Sequence, residues 1–238
     1  MVKIQDYTTL NPLQMIGKEA GICWNAPTDS TKANKRRAID CIKSNHGRVI
    51  EFPDVYMIIE GYSARVIREF YTHIGGSPTR LQASTRYIDC NGFNYVYPPM
   101  CDEVRERYEE VMHTINVAYG ELISLGMKKE DAANILPLGM ETKIVVKINA
   151  RTLMDMSRQR MCNRAYWEFR KLFNEICNAL KNYSEEWDYL VTELFMPKCD
   201  ALHYCPEKNC CGRHRTKAEF EKLLIDGTYY QQFLDDGK

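Results

Sequence analysis

The sequence has no excess of charge of either sign. Lysine plus arginine and aspartate plus glutamate both number 32, so the formal net charge of the 238-residue chain is zero. Proteins that bind long nucleic acids usually present a broad basic surface, and the charge balance argues against such a partner. Any anionic ligand must then be held by a few local arginines.

Long apolar runs are missing as well. No stretch approaches the roughly 18 apolar residues that a membrane-spanning helix needs. The N-terminal segment, in which Asp6 closely follows Lys3, lacks the pattern of a signal peptide. We therefore expect a cytoplasmic protein with no membrane partner. The ten cysteines are scattered through ordinary segments, so we expect reduced thiols and not a disulfide framework.

Several common catalytic signatures are also missing. The chain has no Ser-His-Asp order, no P-loop, no zinc-protease helix and no G-x-G-x-x-G motif, which limits the competing enzyme classes.

The hydrophobic pattern predicts few strands among many helices. Strands are predicted at residues 55–60 and 142–148. Helices are predicted at residues 31–44, 63–73, 102–127, 128–135 and 151–182, the last as one long helix or a bent pair. The apolar stripe along residues 102–127 is wide enough for burial on both sides. Because strands and helices do not alternate regularly, the fold class is α+β.

A glycine loop is followed by hydroxyl and guanidinium groups. Gly75 and Gly76 precede a polar segment that ends at Tyr87 and contains Arg80 and Arg86. Bare backbone amides, hydroxyls and arginines are suited to binding a phosphate. On composition alone, a solvated surface turn is an equally good interpretation.

Four charged residues between residues 149 and 168 have helical spacing. Arg151 and Asp155 are four apart, as are Arg160 and Arg164, so each pair shares a face of a continuous helix. Arg160 then falls roughly opposite Arg151, which requires either a bend or two separate sites. The like-charged pair slightly favours a bound anion, whereas pairing with Glu168 or with another chain is the structural alternative.

Five short motifs occur in the order typical of one enzyme family. They are Ser84-Thr85-Arg86-Tyr87, Tyr97-Pro98-Pro99, Leu136-Pro137-Leu138-Gly139, Asn149-Ala150-Arg151-Thr152-Leu153 and Trp167-Glu168. Together they resemble the flavin-dependent thymidylate synthases of the ThyX type. The pattern N-A-R-[ST]-L with a later W-E is its most specific part.

This resemblance implies a mixed fold with a small sheet and long helices. We divide the chain into a flavin- and nucleotide-binding catalytic domain, residues 1–182, and a helical, Cys-rich C-terminal extension, residues 183–238. The resemblance also implies a homotetramer with shared active sites. The implied reaction is the reductive methylation of dUMP to dTMP, with FAD as hydride carrier, methylenetetrahydrofolate as carbon donor and NADPH as reductant.

The resemblance also implies the site residues. Ser84 and Arg160 are the catalytic candidates, and Arg160 is expected to reach the nucleotide from a neighbouring subunit. The expected dUMP contacts are Glu69, Gln82, Ser84, Thr85, Arg86 and Arg160. The expected FAD contacts are Cys23, His46, Arg48, His73, Arg80, Asn149, Arg151, Asp155 and Arg164. Within the last group, Cys23 belongs to a segment, residues 20–24, that resembles the end of a family strand.

The sequence departs from the family pattern at several positions. Thr72-His73-Ile74 stands where the family has R-H-R, Leu81-Gln82 replaces N-E, and Ala133 occupies the place of an arginine that helps to bind the phosphate. We hypothesise that Arg80 replaces one lost guanidinium. An alternative is a flavin-dependent enzyme that acts on another pyrimidine nucleotide.

The C-terminal extension carries a group of cysteines and histidines. The thiols are Cys199, Cys205, Cys210 and Cys211, with His203 and His214 nearby. Their spacing does not match the paired C-x-x-C hooks of common zinc sites, so we expect no metal and a reduced structural or interface segment. A non-catalytic module that binds metal or nucleic acid, with Arg213 and Arg215, is the remaining alternative.

Overall fold

An antiparallel sheet of four strands organises the fold. The computed structural model describes residues 1–225. Its strands are β1 (Val2–Ile4), β2 (Asp54–Ser63), β3 (Thr79–Gln82) and β4 (Glu141–Asn149), in the spatial order β1-β2-β4-β3. Val55 pairs with Ile148 and Ile59 with Ile144 across the two central strands. These β-branched pairs fit a pleated sheet that is buried on one face.

Ten α-helices and two short 3₁₀ helices surround the sheet in the described part of the chain. The 3₁₀ helices are Gly47–Glu51 and Ala133–Ile135. The α-helices are α1 (Pro12–Cys23), α2 (Thr31–Lys43), α3 (Ala64–Phe70), α4 (Asp102–Ser124), α5 (Lys129–Ala132), α6 (Ala150–Arg160), α7 (Trp167–Tyr183), α8 (Glu185–Leu194), α9 (Lys198–Leu202) and α10 (Lys217–Ile225). Within residues 1–225, no helix is both long and apolar enough to cross a membrane.

The main core lies between the sheet and the helices α3, α6, α7 and α8. Helix α7 buries Phe169, Phe173 and Ile176 completely. Each such side chain stabilises the fold by roughly 1.5–3 kcal/mol relative to an exposed position. Trp187 of α8 lies in the same core and donates its indole N–H to the carbonyl of Thr9 at 2.6 Å. The core thus continues past residue 182, and the domain division placed there stays a prediction.

The α+β fold class is confirmed, and so are most predicted elements. Of the two alternatives for residues 151–182, the bent pair is correct, because α6 ends at Arg160 and α7 begins at Trp167. The segment at residues 20–24 was predicted to end a strand, which is wrong because Ala20 to Cys23 form the last turn of α1. The buried residues Leu13, Ile16 and Ala20 have helical spacing along this segment.

Helix α4 forms as predicted, but most of its apolar stripe is not buried within one chain. Its apolar stripe was expected to be buried on both sides, but only Met112 and Tyr119 are buried, whereas Val104 and Val111 are exposed. An apolar stripe on a helix usually packs against another helix, a sheet or another chain. Within a single chain, most of this stripe is not covered by other residues.

Candidate active site

Arg160, the last residue of α6, joins two elements of the site. Its Nη1 donates to Oε2 of Glu69 at 3.0 Å, and its Nε donates to Nε2 of His73 at 2.9 Å. The guanidinium lies 4.6 Å from the ring centre of Phe169, a favourable cation–π distance. Two candidates for dUMP contact, Glu69 and Arg160, and one candidate for FAD contact, His73, are therefore in direct contact.

His73 is held in its neutral form. Burial, then the positive charges of Arg160 and Arg80, lower its pKa from 6.5 to about 4. Since Arg160 always carries its protons, Nε2 of His73 must accept from it, and the imidazole proton lies on Nδ1. This histidine is uncharged at neutral pH and can donate from Nδ1 alone.

Arg80 braces the turn that follows α3. Its Nη1 donates to the carbonyls of Phe70 at 3.1 Å and His73 at 3.3 Å, and its guanidinium stacks over Tyr71 at 4.5 Å. These bonds fix the course of the chain after α3. Whether Arg80 also replaces a missing signature arginine stays a hypothesis.

Five of the predicted FAD contacts line one cavity of about 590 Å³. They are Arg48, His73, Asn149, Arg151 and Asp155. The cavity lies between the turn at residues 72–76, the 3₁₀ helix Gly47–Glu51 and the start of α6. Its walls thus include the N-terminus of α6, whose positive end favours a bound anion.

Hydrogen bonds and close contacts hold this cavity in shape. Asn149 caps α6 by accepting from the N–H of Thr152 at 2.8 Å. The Thr152 hydroxyl donates to the carbonyl of Gly75 at 2.6 Å, which ties the glycine turn to the helix. Gly76 has a φ of +68°, and a Cβ there would lie 2.5 Å from both Asn149 Nδ2 and Thr152 Oγ1. Only glycine fits this position without displacing its neighbours.

Two charged side chains in the cavity are already positioned. Nε of Arg151 donates to Oδ2 of Asp155 at 3.1 Å, the i,i+4 pair expected from the sequence. A Cβ on Gly47 would lie 1.6 Å from Nη1 of Arg151, so the absence of a side chain there gives the guanidinium its space. His46, which precedes Gly47, is exposed. Arg48 is also exposed and pairs loosely with Glu51 at 3.8 Å.

Ser84 and Thr85 line a different cavity of about 480 Å³. Beside them stand Lys143 and Glu60, whose charged ends are 2.6 Å apart. The hydrogen bond from Lys143 lowers the pKa of Glu60. Within one chain, the predicted catalytic serine is therefore separated from the cavities that contain His73 and Arg160.

Two further dUMP candidates are occupied by other side chains. Arg86 pairs with Glu130 at 2.6 Å on an exposed surface. Gln82 donates to the hydroxyl of Thr142 on the neighbouring strand at 3.4 Å. Exposed pairs of this kind contribute little stability, so a ligand can compete for Arg86 at small cost.

The predicted face shared by Arg160 and Arg164 does not exist. The helix ends at Arg160, and residues 161–166 form a turn, so the i,i+4 geometry does not apply. Arg164 turns towards the C-terminal segment, where its Nη1 donates to the carbonyl of Asn209 at 2.9 Å. Arg151 and Arg160 do serve two different places, as their helical angle predicted. Cys23 is exposed at the end of α1.

Sequence reasoning missed the role of Glu168. It is 1% exposed, and its two oxygens accept from the N–H and the hydroxyl of Ser63 at 2.7 and 2.6 Å. The alternative that Glu168 pairs with Arg160 or Arg164 is wrong, because Arg160 pairs with Glu69 and Arg164 with Asn209. Ser63 caps α3, which carries Glu69. No local pattern links residues 63 and 168.

Comparisons with known proteins agree on one family. A family model described as "Thymidylate synthase complementing protein" (Thy1) matches residues 3–184. A flavin-dependent thymidylate synthase of Clostridium tetani is 31% identical over an alignment of 251 positions that covers 94% of this chain and 96% of that protein. A flavin-dependent thymidylate synthase of Nitratidesulfovibrio vulgaris is 31% identical over 73% of this chain and 74% of that protein.

A solved structure shares the fold. The crystal structure of thymidylate synthase X from Helicobacter pylori, with FAD and dUMP, superposes with a TM-score of 0.63 over 80% of this chain and 99% of that chain. The sequence identity is 18%, so this likeness establishes the architecture. The C. tetani alignment leaves out 6% of the chain, and it therefore extends into the Cys-rich segment.

Proposed function

The chain belongs to the Thy1 family of thymidylate synthase complementing proteins, and we propose that it is a flavin-dependent thymidylate synthase that methylates dUMP to dTMP. The proposal rests on the relatives' shared activity and on the lining of the 590 Å³ cavity. This cavity unites Asn149 and Arg151 of the most specific sequence motif with His73 of the altered signature.

The cavity has the features that FAD requires. Arg48 and Arg151 supply positive charge, and the N-terminus of α6 supplies a favourable dipole for a diphosphate. Gly47 and Gly76 leave space in which any side chain would clash with Arg151 or Asn149. When bound, the flavin supplies the hydride that completes the methyl group. Arg48, His73, Asn149, Arg151 and Asp155 would hold it.

We assign dUMP to the surface formed by Arg160, Glu69 and the Ser84–Arg86 segment. Arg160 has five N–H donors, more than its contacts with Glu69 and His73 require. It would neutralise charge on the nucleotide, while Glu69 keeps its side chain in place. Ser84 and Thr85 would position the base and Arg86 the phosphate. Neutral His73 keeps a further positive charge out of the region next to Arg160.

The shared site requires more than one chain. In a single chain, Ser84 and Arg160 line separate cavities, and the α4 face with Val104 and Val111 is exposed. Exposed apolar faces of this kind usually mark contacts with other chains. We therefore propose a homotetramer in which Ser84 and Arg86 of one subunit meet Arg160 of another. Methylenetetrahydrofolate as carbon donor, NADPH as reductant and a cytoplasmic location complete the proposal.

A direct assay tests the activity. The purified full chain should be yellow, release FAD on denaturation and, with its flavin reduced, convert dUMP to dTMP when methylenetetrahydrofolate is supplied. Arg151→Ala should lower FAD affinity by about tenfold or more, because a charge-assisted bond contributes roughly 1.5–3 kcal/mol. Arg36→Ala is the matched control, since Arg36 is exposed on α2 and lines none of the cavities described above.

The same assay contains the outcomes that refute the proposal. A colourless protein that takes up no FAD would reject the flavin enzyme altogether. A yellow protein whose flavin responds to another pyrimidine nucleotide and not to dUMP would support the alternative substrate, which the changes at Thr72, Ile74 and Ala133 motivate.

Subunit mixing tests the shared site. Arg86→Ala and Arg160→Ala should each be inactive alone. Mixed tetramers of the two variants should regain part of the activity, because some sites then combine two intact contributions. If mixed tetramers form and stay inactive, each site is built within one subunit.

A further inference from the structure

The C-terminal segment gathers metal-binding groups away from the cavity assigned to FAD. Ligand atoms of Cys199, Asp200 and His214 lie within 4.8 Å of one another. Cys199 is 7% exposed, so its thiol is shielded from water. Asp200 accepts from Nε2 of His214 at 2.8 Å and from Arg213 at 2.9 and 2.6 Å. The carboxylate therefore holds both side chains, and the thiol of Cys199 also donates to its Oδ1 at 3.8 Å.

The following loop folds back and brings more thiols to this place. Cys205 is 8% exposed, and its N–H donates to the carbonyl of Arg215 at 2.7 Å, which closes the loop. The thiols of Cys205 and Cys210 are in hydrogen-bond contact, and Cys211 lies near Cys205. Cys199, Cys205, Cys211 and His214 line one cavity of about 440 Å³.

Two of these thiols accept backbone hydrogen bonds from residues two positions ahead. The N–H of Gly212 donates to Sγ of Cys210 at 3.3 Å, in a turn where Gly212 has a φ of +84°. The backbone of Glu207 makes the corresponding bond to the thiol of Cys205. Such bonds fix the two sulfur atoms within the loop, and the thiol of Cys210 donates in turn to the backbone carbonyl of His214 at 3.1 Å.

The ligand types select the metal. Thiolates together with an imidazole favour zinc in tetrahedral coordination. A histidine that ligates zinc usually donates its second ring nitrogen to a carboxylate, and Asp200 already holds His214 in this way. Nε2 of His214 thus bonds to Asp200, which leaves Nδ1 as the nitrogen that would ligate a metal.

We propose that this segment binds one zinc ion through Cys199, Cys205, His214 and a thiol of the Cys210–Cys211 pair. Four protein ligands make the site structural and not catalytic. The zinc would also secure the turn after α6, since Asn209, within the same loop, accepts from Arg164 at 2.9 Å. The spacing of the cysteines alone predicts no metal. Spacing does not reveal that the loop folds back and brings distant thiols together.

Metal analysis of the full chain, purified without a histidine tag or chelator and with thiols reduced, tests the site. We expect elemental analysis by inductively coupled plasma mass spectrometry to find about one zinc per chain. Cys205→Ser and His214→Ala should lose most of it, whereas Cys101→Ser, at an exposed thiol before α4, should keep it. Single and double serine variants of Cys210 and Cys211 identify the fourth ligand.

A cobalt experiment on the wild-type protein tests the site even if the variants fold poorly. Wild-type protein exchanged into cobalt should show thiolate-to-cobalt charge-transfer absorption and the intense visible bands of tetrahedral coordination. The proposal is overturned if the wild type holds no zinc and gives no such spectrum, if Cys205→Ser and His214→Ala retain full zinc, or if peptide mapping shows these cysteines joined as a disulfide. None of these measurements depends on flavin or dUMP.

Discussion

Removing the carboxylate of Glu168 should destabilise the protein strongly. Glu168→Ala leaves the N–H and the hydroxyl of Ser63 without their acceptors, and both residues are at least 98% buried. An unsatisfied buried donor costs about 1–3 kcal/mol, so the expected loss is about 2–5 kcal/mol. That is a large fraction of the roughly 5–15 kcal/mol by which folded proteins are stable.

Glu168→Gln separates hydrogen bonding from packing. The amide keeps one oxygen for the N–H of Ser63 but presents an NH₂ group to its hydroxyl. Because the NH₂ group cannot accept, the hydroxyl proton of Ser63 loses its acceptor, whereas the hydroxyl oxygen still accepts from Val66 at 3.2 Å. We expect about 1–2 kcal/mol of destabilisation, less than for alanine.

Urea unfolding at one protein concentration measures both variants. The midpoint should fall in the order wild type, Gln, Ala, with an unchanged slope. A cycle that includes Ser63→Ala should show that the two alanine changes are less than additive. Equal losses for Gln and Ala would refute the hydrogen-bond account, as would additivity in the cycle.

Two other predictions concern the glycine turn and the histidine. Gly76→Ala should lower the free energy of unfolding by about 1–2 kcal/mol for its left-handed backbone and weaken FAD binding further through the clash with Asn149. Gly75→Ala, with no atom near its Cβ, should change stability by less than about 0.5 kcal/mol, and equal effects would contradict the argument. His73 should titrate by NMR near pH 4, and Arg160→Gln should raise that midpoint without restoring 6.5, since burial remains the larger cause. Because the folded pKa is depressed, His73 contributes stability that is present above pH 6.5 and is lost as the pH falls towards 4; a midpoint near 6.5 in the wild type would refute this.

Local patterns predicted the elements well because each element carries its own signal. Helix α2 begins at Thr31, as its pattern predicted, and the side chain of Ser30 accepts from the N–H of Ala33. The i,i+4 pair of Arg151 and Asp155 forms as expected. Both features depend on residues that are close in sequence.

Local sequence patterns could not predict contacts between distant segments. Arg160 meets Glu69 across 91 positions, and Glu168 meets Ser63 across 105. The helical geometry that would place Arg160 and Arg164 on one face does not apply, because the helix ends at Arg160. The grouping of Cys199 with His214 likewise depends on a loop that returns, which spacing does not reveal.

The hydrogen bond between the Thr152 hydroxyl and the Gly75 carbonyl links two residues that are 77 positions apart in the chain. With Asn149 it fixes one wall of the cavity before any ligand arrives. A preformed wall lowers the conformational entropy that the protein loses when a ligand binds. Ligand uptake in this cavity should therefore be a simple association step, with a rate that rises linearly with ligand concentration and no slow rearrangement to limit it.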